Sequence, residues 1–233
     1  MTLLFRIVIS LYLIFNLLCV SAQQLKTRVD DVYGFDPSLY NGRQYTFFPP
    51  VNTGGNQYFS SVRFEKGSVT IRNVTYNGLA LNYDIYNQQL ILEYKNNLDA
   101  PSLIILSDAW LKSFSYNGSN FEIISSQDTL KRIYQVLGTG PDRILYYWKK
   151  KLNLDSYQGT KNYFFSSPIK EMNLYSGNKI LRYWNNKIFC SLFEPEKRTA
   201  IKEYLHKKKI NVKKASDQIM TELISYCNTL YKK

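Results

Sequence analysis

One histidine and three cysteines in 233 residues remove much of the usual catalytic inventory. A multi-histidine metal site cannot be assembled, nor can a zinc ribbon of four cysteines. Any Ser-His-Asp or Cys-His arrangement would have to use His206. That residue follows Tyr204 and Leu205 and precedes three lysines, which reads as a solvated helix position. Acidic residues are scarce as well, 18 against 30 Lys and Arg, for a net charge of +12. No calcium loop of the D-x-[DN]-x-[DN]-G kind occurs, and Gly138-Thr139-Gly140-Pro141 lacks the lysine and following helix of a phosphate loop. It reads as a turn between strands. No internal repeat or low-complexity tract is present, and no cofactor is implied.

Aromatic residues are abundant: 20 Tyr, 13 Phe and 3 Trp, far too many for a disordered basic chain. The first 22 residues have the layout of a secretory signal peptide. Arg6 forms the basic start, Ile7 to Leu18 the apolar run, and Val20-Ser21-Ala22 a small-residue cleavage site. The apolar run is shorter than the ~20 residues of a spanning helix. Loss of Arg6 alone takes the mature chain to +11. No later run is long enough to span a bilayer as a helix; Leu103 to Leu106 is strand-length.

Three regions follow the signal. Residues 23–57 are polar and broken by Pro49-Pro50 and Gly54-Gly55, an extended arm whose aromatics would pin it to the next domain. Residues 58–190 alternate apolar and polar in short runs, including Leu79-Leu81-Tyr83, Leu90-Leu92-Tyr94 and Arg143–Trp148. Asn117-Gly118 reads as a hairpin turn. Residues 191–233 read as two helices: one begins at Pro195, and Ser216 caps the other. Ile219, Met220, Leu223, Ile224 and Cys227 form the apolar face of the second. The expected fold is therefore α+β: an antiparallel β-meander, barrel-like or sandwich body followed by a C-terminal α-helical hairpin. Cys190 and Cys227 read as buried free thiols, with pairing in an oxidising compartment as the alternative.

Ten basic and four acidic residues over 196–233 concentrate +6 in the helical end. Export disfavours nucleic acid as the partner. An envelope or outer-membrane protein, an anionic glycan or a lipid headgroup layer suits this charge better. The candidate partner-binding residues are Tyr45, Phe47, Phe48 and Tyr58 of the arm region with Lys207, Lys208, Lys209, Lys213 and Lys214 of the tail. The tyrosines that strands do not need for packing could form a sugar-stacking platform. Asp84, Glu93, Asp99, Asp108 and Glu122 read as strand-end and turn acids; a carboxylate-based hydrolase of envelope sugars is the enzymatic alternative.

Several stretches carry a resemblance: Gly67-Ser68-Val69-Thr70-Ile71, Leu81-Asn82-Tyr83-Asp84-Ile85-Tyr86, Tyr134-Gln135-Val136-Leu137, and the lysine-rich tail from Phe193 through Ile224. Together they resemble secreted envelope proteins of Bacteroidota with a β-rich body and a lysine-rich helical end. The resemblance implies a periplasmic or outer-membrane-peripheral location and brings no catalytic signature. The expected function is that of a non-enzymatic, protein-binding or accessory envelope protein.

Overall fold

Apolar residues recurring every second position build strands wherever one face can be buried, and thirteen strands form among the described residues. The computed structural model describes residues 36–96, 98–126, 129–157 and 160–231. The signal segment 1–22, the arm up to residue 35, and Lys232 and Lys233 lie outside the described residues.

The chain divides into two compact units, Met1–Asn41 and Gly42–Lys233. In the first, the described residues form a turn: the Leu39 and Tyr40 amides donate to the Asp36 carbonyl, and the Ser38 amide donates to the Asp36 carboxylate at 2.7 Å.

Among the described residues, the strands and helices all lie in the second unit. The strands are β1 (Arg43–Gln44), β2 (Glu65–Ile71), β3 (Val74–Asp84), β4 (Gln89–Lys95), β5 (Pro101–Ile105), β6 (Leu111–Tyr116), β7 (Ser119–Ser126), β8 (Thr129–Leu137), β9 (Arg143–Lys149), β10 (Leu152–Tyr157), β11 (Thr160–Phe165), β12 (Ile169–Ser176) and β13 (Lys179–Tyr183). Three helices follow: α1 (Asn186–Ser191), α2 (Pro195–Lys207) and α3 (Asp217–Thr229).

Eleven strands make one sheet in the order β1-β5-β4-β3-β2-β6-β7-β8-β9-β12-β13, with every pairing antiparallel. Most successive strands are neighbours, with exceptions at β1–β5, β2–β6 and β9–β12, and β1 and β13 each pair on one side only among the described residues. The fold is thus α+β, a large antiparallel sheet with helices at its C-terminal end. Asn117 and Gly118 both have positive φ (49° and 71°), the backbone a tight β6–β7 hairpin turn requires. Strands β10 and β11 pair only with each other as a separate hairpin, which the segment at Gly54 joins through a parallel bridge to Phe164.

The arm boundary at 57 moves. Residues 42–57 are part of the second unit: β1 pairs with β5, Tyr45 donates its amide to Leu103 and Gln57 is buried. A two-residue strand has no readable period, which is why an extended arm was expected there. Ile104 and Leu106 are buried, while Leu103 and Ile105 are half-buried.

Two apolar clusters occupy opposite faces of the β8-β9-β12-β13 end. Ile144, Tyr146, Met172, Leu174 and Tyr183 pack against Phe189, Cys190, Ile201, Leu205, Met220, Leu223, Ile224 and Cys227 of the helices. On the other face, Ile124, Tyr134 and Leu145 are covered by Val136, Tyr147, Tyr175 and Ile180. Long charged side chains complete that cover. Arg143 pairs with Glu122 at 2.8 Å and lies over the Tyr175 ring, while Arg132 lies over Tyr147. Elsewhere Phe59 meets Tyr83, Tyr116, Phe121 and Trp148 at centroid distances of 5.2–6.4 Å. Packing of this kind accounts for the aromatic excess.

Cys190 and Cys227 are free and buried. Burial pushes the Cys227 thiol up to about 12, and the Asp142 carboxylate pushes the same way. Both thiols should therefore resist alkylation in the native reduced protein at pH 8 and react fully in denaturant. Rapid native labelling of either would contradict this packing.

Candidate anion-binding site

Helix α2 starts at Pro195, whose missing N–H costs nothing at a first helical position, and buries Ile201 and Leu205 against the sheet. Most of its remaining positions are charged or polar and meet water, while Tyr204 stacks on Tyr226 of α3. The helix ends in a Schellman arrangement. The Ile210 amide donates to the Leu205 carbonyl at 2.9 Å, and the Lys209 amide donates to the His206 carbonyl at 3.0 Å. Lys209 thereby takes φ +52°, the left-handed position glycine usually fills. A side chain there costs about 1 kcal/mol relative to glycine.

Helix α1 sits beside this turn. Asn185 caps it by accepting the Ile188 amide at 2.9 Å. Asn186 then staples the two elements together: its Nδ2 donates to the Ile210 carbonyl at 2.7 Å, and its Oδ1 accepts the Val212 amide at 2.9 Å. The staple holds Lys187 of α1 across from Lys202 and His206 of α2. Between them lies a hollow of about 460 Å³ lined by Asn186, Lys187, Cys190, Lys202, Leu205, His206, Lys209 and Ile210. Burial raises the Cys190 thiol, and the Lys202 ammonium pulls it back down.

A second hollow, of about 650 Å³, also lies against α2. Its lining includes Glu203, Lys207 and the stacked rings of Tyr204 and Tyr226, whose centroids are 4.1 Å apart. Lys202 and His206 line both hollows.

All five tail lysines, Lys207, Lys208, Lys209, Lys213 and Lys214, are exposed. None takes part in an ion pair among the described residues. The four aromatics are not brought together with them. Tyr45 is buried and donates its hydroxyl to Asp84 at 2.8 Å. Phe47 is half-buried against the Tyr86 ring at 5.5 Å, and Tyr58 is half-buried beside Asp84 through a β-bridge. Only Phe48, 83% exposed, faces solvent. The strand tyrosines whose burial is described are half-buried or buried and serve packing, so the tyrosines that reach the surface together are Tyr204 and Tyr226 beside the second hollow.

Three of the five acids weighed for hydrolysis are engaged elsewhere. Asp84 is fully buried and accepts from the Tyr45 hydroxyl, the Tyr86 and Asn87 amides and the Asn87 side chain. Glu122 pairs with Arg143, and Asp99 with Lys95. Among the described residues no three His, Cys, Asp or Glu side chains converge to hold a metal ion. No helix there is long and apolar enough to cross a membrane.

Asn186, Lys187 and Lys202 escaped the sequence reading as site residues, and His206 was read there only as a solvated helix position. The signal for α1 was present in Asn185-Asn186 as a capping pair, but six residues are too few to show a helical period. Compared with known protein families, curated proteins and solved structures, the chain matches none.

Proposed function

We propose that the protein is a non-enzymatic, exported binding protein that attaches through its cationic helical end to an anionic layer of the cell envelope, acidic glycan or lipid headgroup. One observation supports the reading above the others. Lys207, Lys208, Lys209, Lys213 and Lys214 stand exposed at the end of α2 and along the connector to α3, with no ion-pair partner among the described residues. Unpaired, solvated ammonium groups at this density attract a polyanion without first breaking internal contacts. The signal-like segment supplies the compartment. An envelope protein held by the aromatic arm has less support, since of its four candidate side chains only Phe48 is free to touch one.

Retention on anionic vesicles, against zwitterionic ones, tests the proposal. Binding should fall steeply as salt is raised from 50 to 500 mM, since exposed charges are screened within about 3 Å at molar salt. Lys213→Gln with Lys214→Gln should weaken it roughly thirtyfold, at about 1 kcal/mol for each lysine near an anionic surface. Equal retention on both vesicle types would overturn it.

A further inference from the structure

We infer that the hollow between α1 and α2 is a small-ligand site for an amphiphilic anion, a carboxylate or phosphate head on a short apolar tail. The inference deepens the anion-binding reading and rests on it only in taking the cations of this end as ligand-facing.

The lining is two-sided in chemistry. Leu205, Ile210 and Cys190 make an apolar floor, and the lysine stems extend it. Lys187 from α1, Lys202 and His206 from α2, and Lys209 from the connector surround that floor, and no acid lines it. An inorganic anion would satisfy the ammonium groups and leave the floor wet. A neutral apolar molecule would fill the floor and strip water from three unpaired ammoniums. A ligand with both parts satisfies both. The volume of about 460 Å³ falls in the range of small-molecule sites.

Lys209 supplies an independent observation. Its left-handed backbone favours glycine, so lysine at this position lowers stability while directing an ammonium to the pocket. Of the tail lysines Lys209 alone combines a positive φ with a place in the lining of this hollow; Lys208, Lys213 and Lys214 line neither hollow and have no positive φ.

The test is calorimetric titration of the full mature chain with decanoate, decyl phosphate, decanol and acetate. Decanoate or decyl phosphate should bind at least tenfold tighter than decanol and acetate, and the better of the two names the head group. Lys209→Gly should raise Tm by about 2–4 °C and weaken decanoate binding at least fivefold, so lost binding cannot be lost folding. Lys202→Gln should weaken it similarly. Decanol binding as tightly as decanoate, or undiminished decanoate binding by Lys209→Gly, would overturn the inference. Retention on a sulfated polysaccharide column separates the two readings. If retention persists while decanoate fails to bind, the pocket alone is overturned. If decanoate binds while retention is absent, the pocket stands and the surface reading falls.

Discussion

Replacing Phe189 by alanine is expected to lower stability by about 3–5 kcal/mol, a large share of the 5–15 kcal/mol typical of a domain. The ring is completely buried, edge-on to Tyr183 at 5.0 Å and to Phe193 at 5.2 Å. Helix α1 has six residues, too few to be helical by local hydrogen bonding, so this anchor is what holds it. Because α1 carries Asn186 and Lys187, Phe189→Ala should also loosen the pocket and reduce decanoate binding. Urea unfolding would read the first effect as a lower midpoint at unchanged slope. Phe48→Ala is the control: that ring is 83% exposed and should shift stability by less than about 0.5 kcal/mol. Similar midpoints for the two variants would contradict the core described above.

Asp84→Ala should be comparably damaging, at about 3–5 kcal/mol, for a different reason. The carboxylate accepts from the Tyr45 hydroxyl, from two turn amides and from the Asn87 side chain. Gln57 in turn donates to the Tyr45 hydroxyl at 3.0 Å. Removing the acceptor leaves several buried donors unpaired, each at about 1–3 kcal/mol. The residue fastens 42–58 to the β3–β4 turn, so its loss should expose the backbone of 42–58 to rapid hydrogen exchange. Asp84→Asn keeps one carbonyl oxygen for the two amides and should lose clearly less. Equal losses in urea for the two variants would show that hydrogen bonding at this knot is not what matters.

Much of the architecture was legible because its physics is local. Alternation in Leu79-Leu81-Tyr83 and Leu90-Leu92-Tyr94 marked β3 and β4, Asn117-Gly118 marked the β6–β7 turn, and Pro195 and Ser216 marked the starts of α2 and α3. Strand β10 was not legible. Its hairpin with β11 stands outside the main sheet, so Leu154 and Phe164 remain half exposed and the in–out pattern blurs. The arm was half legible: that its aromatics would pin it to the next domain was expected, but not that Tyr45 would enter the interior through a partner 39 residues away. The tail lysines were identified by charge alone, whereas the pocket beside them was not, since Lys187 lies outside the lysine-rich run and joins it through the Asn186 staple.

The scarcity of histidine, cysteine and acid, the alternating strands, the amphipathic helices and the concentration of positive charge at the C-terminal end were all determined by the sequence alone. Periodicity, capping and net charge are properties of neighbours along the chain. Tertiary structure decided which aromatics are interior, which cations stand free, and that His206 shares a hollow with Lys187, Lys202 and Lys209. Those depend on contacts between residues far apart in sequence, which are set by how α1, α2 and the sheet pack together and leave no local pattern to read.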